Sequence, residues 1–171
     1  MQLELSKMTC SHSSRTSSRD KFYVGYFIFH IMFATLIDTV TIFPRSWLFS
    51  FQNALVDIHF KINKDFLLQN APVWLSTIIF VEVFVFTPVF VWAIFDLRAK
   101  RPRVWPAILA YATLAAPTSL ACMTEVASVS FLTTPEKIQL ISTYAPFFVI
   151  PVYMIYDFYF RIIGALKVKV D

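Results

Sequence analysis

Glycine is nearly missing from this 171-residue chain, which has only two. Folds rich in tight turns draw on glycine for left-handed backbone, whereas long helices do without it. Charge is scarce too, at 15% of residues against about a quarter in a soluble domain. Two cysteines, Cys10 and Cys122, are too few for a disulfide framework, and no His or Cys spacing matches a metal site. No metal or cofactor is therefore expected. In place of these stand 57% apolar residues, 19 of them phenylalanine. That composition excludes an ordinary soluble domain and implies an integral membrane protein.

Backbone inside a bilayer must satisfy its own hydrogen bonds, which leaves helices or a closed barrel. A barrel strand shows about ten residues of alternating polarity. Here the apolar runs are long and continuous, so the expected fold is all-α, a bundle of four transmembrane helices. The spans run from Phe22 to Phe43, Val73 to Phe95, Val104 to Met123 and Ile138 to Ile163. Each reaches the roughly 20 residues that cross the hydrocarbon. Residues 1–21 read as a disordered, Ser-rich cytosolic tail, 22–163 as the membrane domain and 164–171 as a second cytosolic tail. The Ser/Arg character of the first tail faintly suggests a transit peptide, but Glu4 and Asp20 count against it.

Basic residues set the orientation. Arg15, Arg19 and Lys21, then Arg98, Lys100, Arg101 and Arg103, then Arg161, Lys167 and Lys169 share one side. Arg45, Lys61, Lys64 and Lys137 lie on the other, diluted by Asp57, Asp65, Glu125 and Glu136. The positive-inside rule places both termini in the cytosol and makes the pI near 9.1 a topology signal, with no nucleic-acid partner expected. Cys10 and Cys122 then fall on opposite sides of the membrane. Lys167 and Lys169, five and three places from the C-terminus, have the spacing of a cytosolic dilysine ER-retrieval tail, so the expected location is the ER membrane. In the lumenal connection from Pro44 to Pro72, Trp47, Phe51, Leu55, Ile58 and Ile62 recur at three- and four-residue steps. That spacing predicts a short amphipathic helix, lying on the lumenal surface or covering the top of the bundle.

Two acids stand where lipid disfavours them. Asp38 lies roughly 8 Å in from the lumenal end of span one, and Glu82 roughly 14 Å in along span two. Tyr144 of span four is roughly 9 Å deep by the same count. An ionisable group at membrane depth faces a cavity or a partner rather than lipid. Pro88, Pro117, Pro146 and Pro151 interrupt spans two to four, and kinks in neighbouring helices favour a cavity among them. His30 is rotated about 80° from Asp38 on an ideal helix and reads as a hydrogen-bonded packing residue. Asp96 and Asp157 are expected to pair with basic neighbours such as Arg98 and Arg161.

The strings LIDTVTIFPRSW, KDFLLQNAPVWLSTIIFVEVF, PAILAYATLAAP and LISTYAPFFVIP resemble, in order and spacing, the sigma-2 receptor branch of the EXPERA-domain family. The likeness covers about residues 22–160. It implies an ER four-helix protein, often dimeric, that binds cationic amphiphilic amines and sterols in a cavity open to lipid. It carries the amine-pairing aspartate to Asp38, a supporting loop aspartate to Asp65, the span-two glutamate to Glu82 and a pocket tyrosine to Tyr144. A second tyrosine of the family is Phe147 here, and a glutamine is Phe86, which makes the pocket greasier. The more distant emopamil-binding sterol isomerase is the runner-up. Its histidine falls on Ala34 and its hydroxyl near Val85, which argues against the same reaction, though His30 is a conceivable substitute. A third reading is an ER-surface sorting factor that aids mitochondrial precursors through an ER membrane protein partner, with the Arg98–Arg103 loop as the contact. The favoured reading is a sterol- or amphiphile-binding protein of lipid handling rather than an enzyme.

Overall fold

The computed structural model describes residues 17–167. Helix α1 (Ser18–Leu36) ends in a short 3-10 turn, Asp38–Thr41, and a second such turn covers Arg45–Trp47. Two helices then cross one end of the bundle, α2 (Ser50–Asn63) and the brief α3 (Phe66–Asn70). The second span is α4 (Val73–Val81), a π-helical turn (Glu82–Phe86) and α5 (Thr87–Arg98). The third is α6 (Trp105–Ser128) and the fourth α7 (Thr134–Lys167). Among the described residues four segments are long and apolar enough to cross a membrane, Ser18–Thr41, Val73–Arg98, Pro102–Ser128 and Thr134–Leu166. No strand occurs among the described residues. The expected all-α bundle of four membrane helices is thus observed. Residues 1–16 of the N-terminal tail, with Cys10, lie outside the described residues, as does Lys169 of the retrieval signal.

With 34 residues, α7 is roughly 50 Å long and outruns a hydrocarbon core of about 30 Å. It pairs along its length with α6, while α1 packs on α5. Two clusters fill the interior. One joins Tyr23, Phe27, Phe90, Ile108, Tyr111 and Phe158. The other, at the α2–α3 end, joins Ile37, Val56, Leu67, Leu75, Ile79 and Leu140. Ion pairs tie the opposite end. Arg161 reaches Asp20 of α1 and Asp157 of its own helix, each at 2.7 Å, and Arg19 meets Asp157 at 2.7 Å. Asp157 pairs with Arg161 as expected, but Asp96 takes two bonds from Arg103, at 2.6 and 3.0 Å, and none from Arg98. Two positions along a helix turn a side chain by about 200°, so Arg98 points away from Asp96.

The interruptions expected at the prolines of spans three and four do not appear as breaks, since α6 runs on through Pro117 and α7 through Pro146 and Pro151. Pro151 cannot donate to the carbonyl of Phe147, and Ser119 Oγ of α6 donates to that carbonyl instead, at 3.0 Å. Ser119→Ala therefore leaves the carbonyl of half-buried Phe147 without this donor and costs about 1 kcal/mol. Thermal unfolding of the detergent-solubilised protein measures it. Adding Pro151→Ala, which returns the helical donor, recovers most of the loss. A double variant no more stable than Ser119→Ala alone contradicts this account.

Candidate functional site

Three local departures from regular helix build the site. The first closes α1. Thr35 of its last turn and Thr39 of the 3-10 turn that follows stand in a β-branched run, and their hydroxyls bond backward to the carbonyls of Ile31 (2.6 Å) and Thr35 (2.9 Å). Such local bonds compete with the helical ladder, and the chain tightens at Asp38. The second lies in span two. Pro88 has no N–H for the carbonyl of Phe84. Just before it the helix widens into the π turn, and the Thr87 N–H bonds Glu82 O five residues back. Wide turns of this kind recur at functional sites. The third is Lys64, held at φ 51° where glycine is usual. That left-handed residue ends α2 and swings Asp65 into the bundle.

Asp65 is 1% exposed and caps α3, accepting from the Leu68 N–H at 3.2 Å. The Tyr144 hydroxyl donates to both its oxygens, at 3.1 and 3.0 Å. His59 Nε2 lies 3.2 Å from Oδ2 of the same carboxylate, and Asn63 Nδ2 lies 3.0 Å from His59 Nδ1. Asn63 donates to Nδ1, so the proton sits on Nε2 and His59 donates to Asp65. A second closed cluster lies deeper. His30 Nε2 hydrogen-bonds to Glu82 Oε1. Its Nδ1 is 3.2 Å from the hydroxyls of Tyr26 and Tyr111, which are 2.8 Å from each other.

Between these clusters runs one cavity. Its lining includes all six residues expected of the site, namely Asp38, Glu82, Asp65, Tyr144, Phe147 and Phe86. The space between its walls, mouth included, is about 770 Å³, while a water-sized sphere can centre itself in about 80 Å³ of it. A single water needs roughly 10–15 Å³ by that second measure, so the cavity is a narrow slot. Phe33, Leu75, Ile79, Leu114 and Phe147 give it apolar walls. On the flank between α4–α5 and α6, the lining residues Ile78, Phe86, Leu114 and Thr118 are only half-buried.

Charge in the slot is one-sided. Among the described residues three carboxyl groups face it, and no Lys or Arg lines it. Glu82 has His30 and Asp65 has three donor groups, but the Asp38 carboxylate has no hydrogen-bond or ion-pair partner among the described residues. Asp38 and Glu82 are likewise not hydrogen-bonded to each other. Burial disfavours a charged carboxyl, and a neighbouring cation favours it. The slot therefore suits an apolar body carrying one positive group.

Among the lining residues that sequence reasoning missed are His30, Tyr111 and Ser119. His30 was set aside because an ideal helix turns it from Asp38. The tightening after Leu36 changes that rotation, and both side chains reach the slot. The pairing of His30 with Glu82 had no signal, since 52 residues separate them. Ser119 was legible in principle as the donor that Pro151 calls for. Phe147 meets the His30 ring edge-on at 5.0 Å, and Phe86 meets Tyr111 at 5.4 Å, so both act as apolar contacts.

The chain is 30% identical over 149 residues to efficient mitochondria targeting-associated protein 19 of Saccharomyces cerevisiae, covering 77% of this chain and 91% of that one. The protein of the same name from Schizosaccharomyces pombe is 29% identical over 143 residues, 81% of this chain and 73% of the other. Sigma intracellular receptor 2 of Xenopus tropicalis is 28% identical over 144 residues, 76% of this chain and 81% of the other. Residues 51–158, which hold five of the six expected site residues, match the family model EXPERA (EXPanded EBP superfamily), and with that match and the yeast likeness the chain belongs to the EXPERA family.

Proposed function

We propose that this protein is an ER membrane protein, both termini cytosolic, that binds an amphiphile in the slot, a sterol or a flat apolar molecule bearing an amine, and serves in lipid handling. The observation that carries this reading is Asp38, a carboxylate unpartnered among the described residues and facing a cavity that they line with two further acids and no Lys or Arg. A ligand amine supplies the missing countercharge, and the apolar walls hold the rest. The likeness to a protein named as an intracellular receptor supports the same reading. Asp38, Glu82 and Tyr144 are the polar contacts proposed, with Asp65 supporting them and Phe86 and Phe147 the apolar ones.

Isomerase chemistry is less well supported. It needs a proton donor and acceptor against the substrate, and the two positions that the resemblance points to do not face the slot. Ala34 is sealed in the interior, and Val85 is 52% exposed on the outer side of its helix. His30 with Glu82 is a couple able to move a proton there. The two yeast relatives, named for mitochondrial targeting, favour a sorting role as a second reading. The contact expected for it, the Arg98–Arg103 loop, suits an anionic partner and repels an Arg-rich targeting segment.

The test is lipid mass spectrometry on the purified protein, wild type beside Asp38→Asn/Glu82→Gln. A sterol or amine-bearing lipid enriched in the wild type alone is the expected result, and an unchanged double-bond pattern after incubation separates binding from isomerisation. If neither protein retains a lipid above background, ligand binding fails and the sorting role takes its place.

A further inference from the structure

Helix α2 is built inside out. Its buried residues are Gln52, Val56 and His59, while Phe51, Leu55, Ile58 and Ile62 are exposed, Phe51 and Ile62 at 58% each. A soluble amphipathic helix does the reverse. At 100° per residue the helix divides into three arcs of roughly 60°. Gln52, Val56, His59 and Asn63 share the arc toward the bundle. Asp57, Lys61 and Ser50 share an arc nearly opposite and are exposed. Phe51, Leu55, Ile58 and Ile62 occupy one shoulder between them.

The inner arc is polar because it has polar work. Gln52 Nε2 donates to Thr35 O at 2.9 Å and to Thr39 Oγ1 at 2.8 Å, flanking the turn that carries Asp38. His59 donates to Asp65. These bonds seat α2 over the acid end of the slot and oblige Phe51, Leu55, Ile58 and Ile62 to face outward. The shoulder then needs an occupant, and its surroundings name one. Trp47 stacks on Phe43 at 6.2 Å, and Phe43 meets Phe84 of span two at 6.3 Å. Phe84 in turn packs on Phe80 at 4.6 Å, and both are exposed on the outer face of that span. Aromatic surface thus runs unbroken from the connection onto a helix face that lipid covers.

We infer that α2 lies in the interfacial zone of one bilayer leaflet, its Phe51–Ile62 shoulder among phospholipid acyl chains and its Asp57–Lys61 face in water. The connection is therefore a lipid-binding helix that roofs the slot, not a free loop. Helices that lie in the interface show this division into an apolar and a charged side. Trp47 is 74% exposed beside this helix, and tryptophan is the residue that anchors helices at the bilayer surface. The inference does not depend on what the slot binds.

Site-directed spin labelling tests it. Phe51→Cys, Ile58→Cys, Ile62→Cys, Asp57→Cys and Lys61→Cys are each made in a Cys10→Ser chain, labelled with a nitroxide and reconstituted into phosphatidylcholine vesicles. Cys122 is buried and stays, with the parent chain reporting any label it takes up. At positions 51, 58 and 62 the expected ratio of collisions with oxygen to collisions with a water-soluble nickel chelate is several-fold higher than at 57 and 61. All five substitutions are outward-facing and spare the bonds of the inner arc. Equal nickel access at all five sites overturns the proposal, because the shoulder then faces water. Shielding of 51, 58 and 62 from both reagents, with spin–spin broadening, overturns it in favour of a second copy of the chain.

Discussion

Asp38→Asn weakens a cationic amphiphile by roughly a hundredfold and leaves the fold intact. Removing one member of a buried charge pair costs about 2–5 kcal/mol, of which 1.4 kcal/mol is tenfold in affinity. The whole effect falls on the ligand because Asp38 has no partner within the described protein that the change would orphan. Asp38 takes a side-chain hydrogen bond through its backbone, where its carbonyl accepts from the Thr41 hydroxyl at 2.8 Å. Stability should therefore shift by less than about 1 kcal/mol. The measurement is saturation binding of a radiolabelled amphiphilic amine in nanodiscs, beside thermal unfolding of the same sample. A neutral sterol provides the control, since its affinity should barely change. If the amine binds Asp38→Asn within a few-fold of wild type, the countercharge role is wrong.

Asp65→Ala acts in the opposite way, through the fold. This carboxylate is buried and collects the Tyr144 hydroxyl, the Leu68 N–H and His59. Each buried donor left without an acceptor costs about 1–3 kcal/mol, and the lost helix cap adds about 1. Breaking such a buried arrangement by removing one member costs about 3–5 kcal/mol, enough to unfold a marginal protein. The expected result is a large fall in unfolding temperature and loss of the monodisperse peak on size exclusion. Asp65→Asn keeps one acceptor oxygen and falls between the two. An Asp65→Ala protein as stable as wild type but unable to bind an amine places Asp65 among the ligand contacts instead. The two aspartates thus share one cavity and divide its tasks, Asp38 left free for a ligand and Asp65 spent on holding the roof.

How far the residues alone led can be judged from particular cases. Glu82 and Asp38 stood out because a carboxylate within an apolar run is rare and costly, a signal that needs no neighbours. Pro88 marked a break in span two, but not its form. A kink and a π turn both accommodate the missing N–H, and the choice depends on what packs beside the helix. Asp65, Phe147 and Phe86 entered only through resemblance. A loop aspartate and two phenylalanines among 19 carry no local mark of a pocket. The periodicity of α2 was legible, but not which side faced inward, since Gln52 and His59 gain from burial only once Thr39 and Asp65 are beside them.

The sequence by itself determined the class, the four spans and the positions of the acids. Hydropathy, helix length and the cost of charge in lipid act residue by residue along the chain. Tertiary structure alone decided which acids are satisfied. Glu82 is taken by His30 across 52 residues and Asp65 by Tyr144 across 79, whereas nothing in the described chain reaches Asp38. A hydrogen bond depends on placement to within a few tenths of an ångström, and only the packed bundle sets distances that fine.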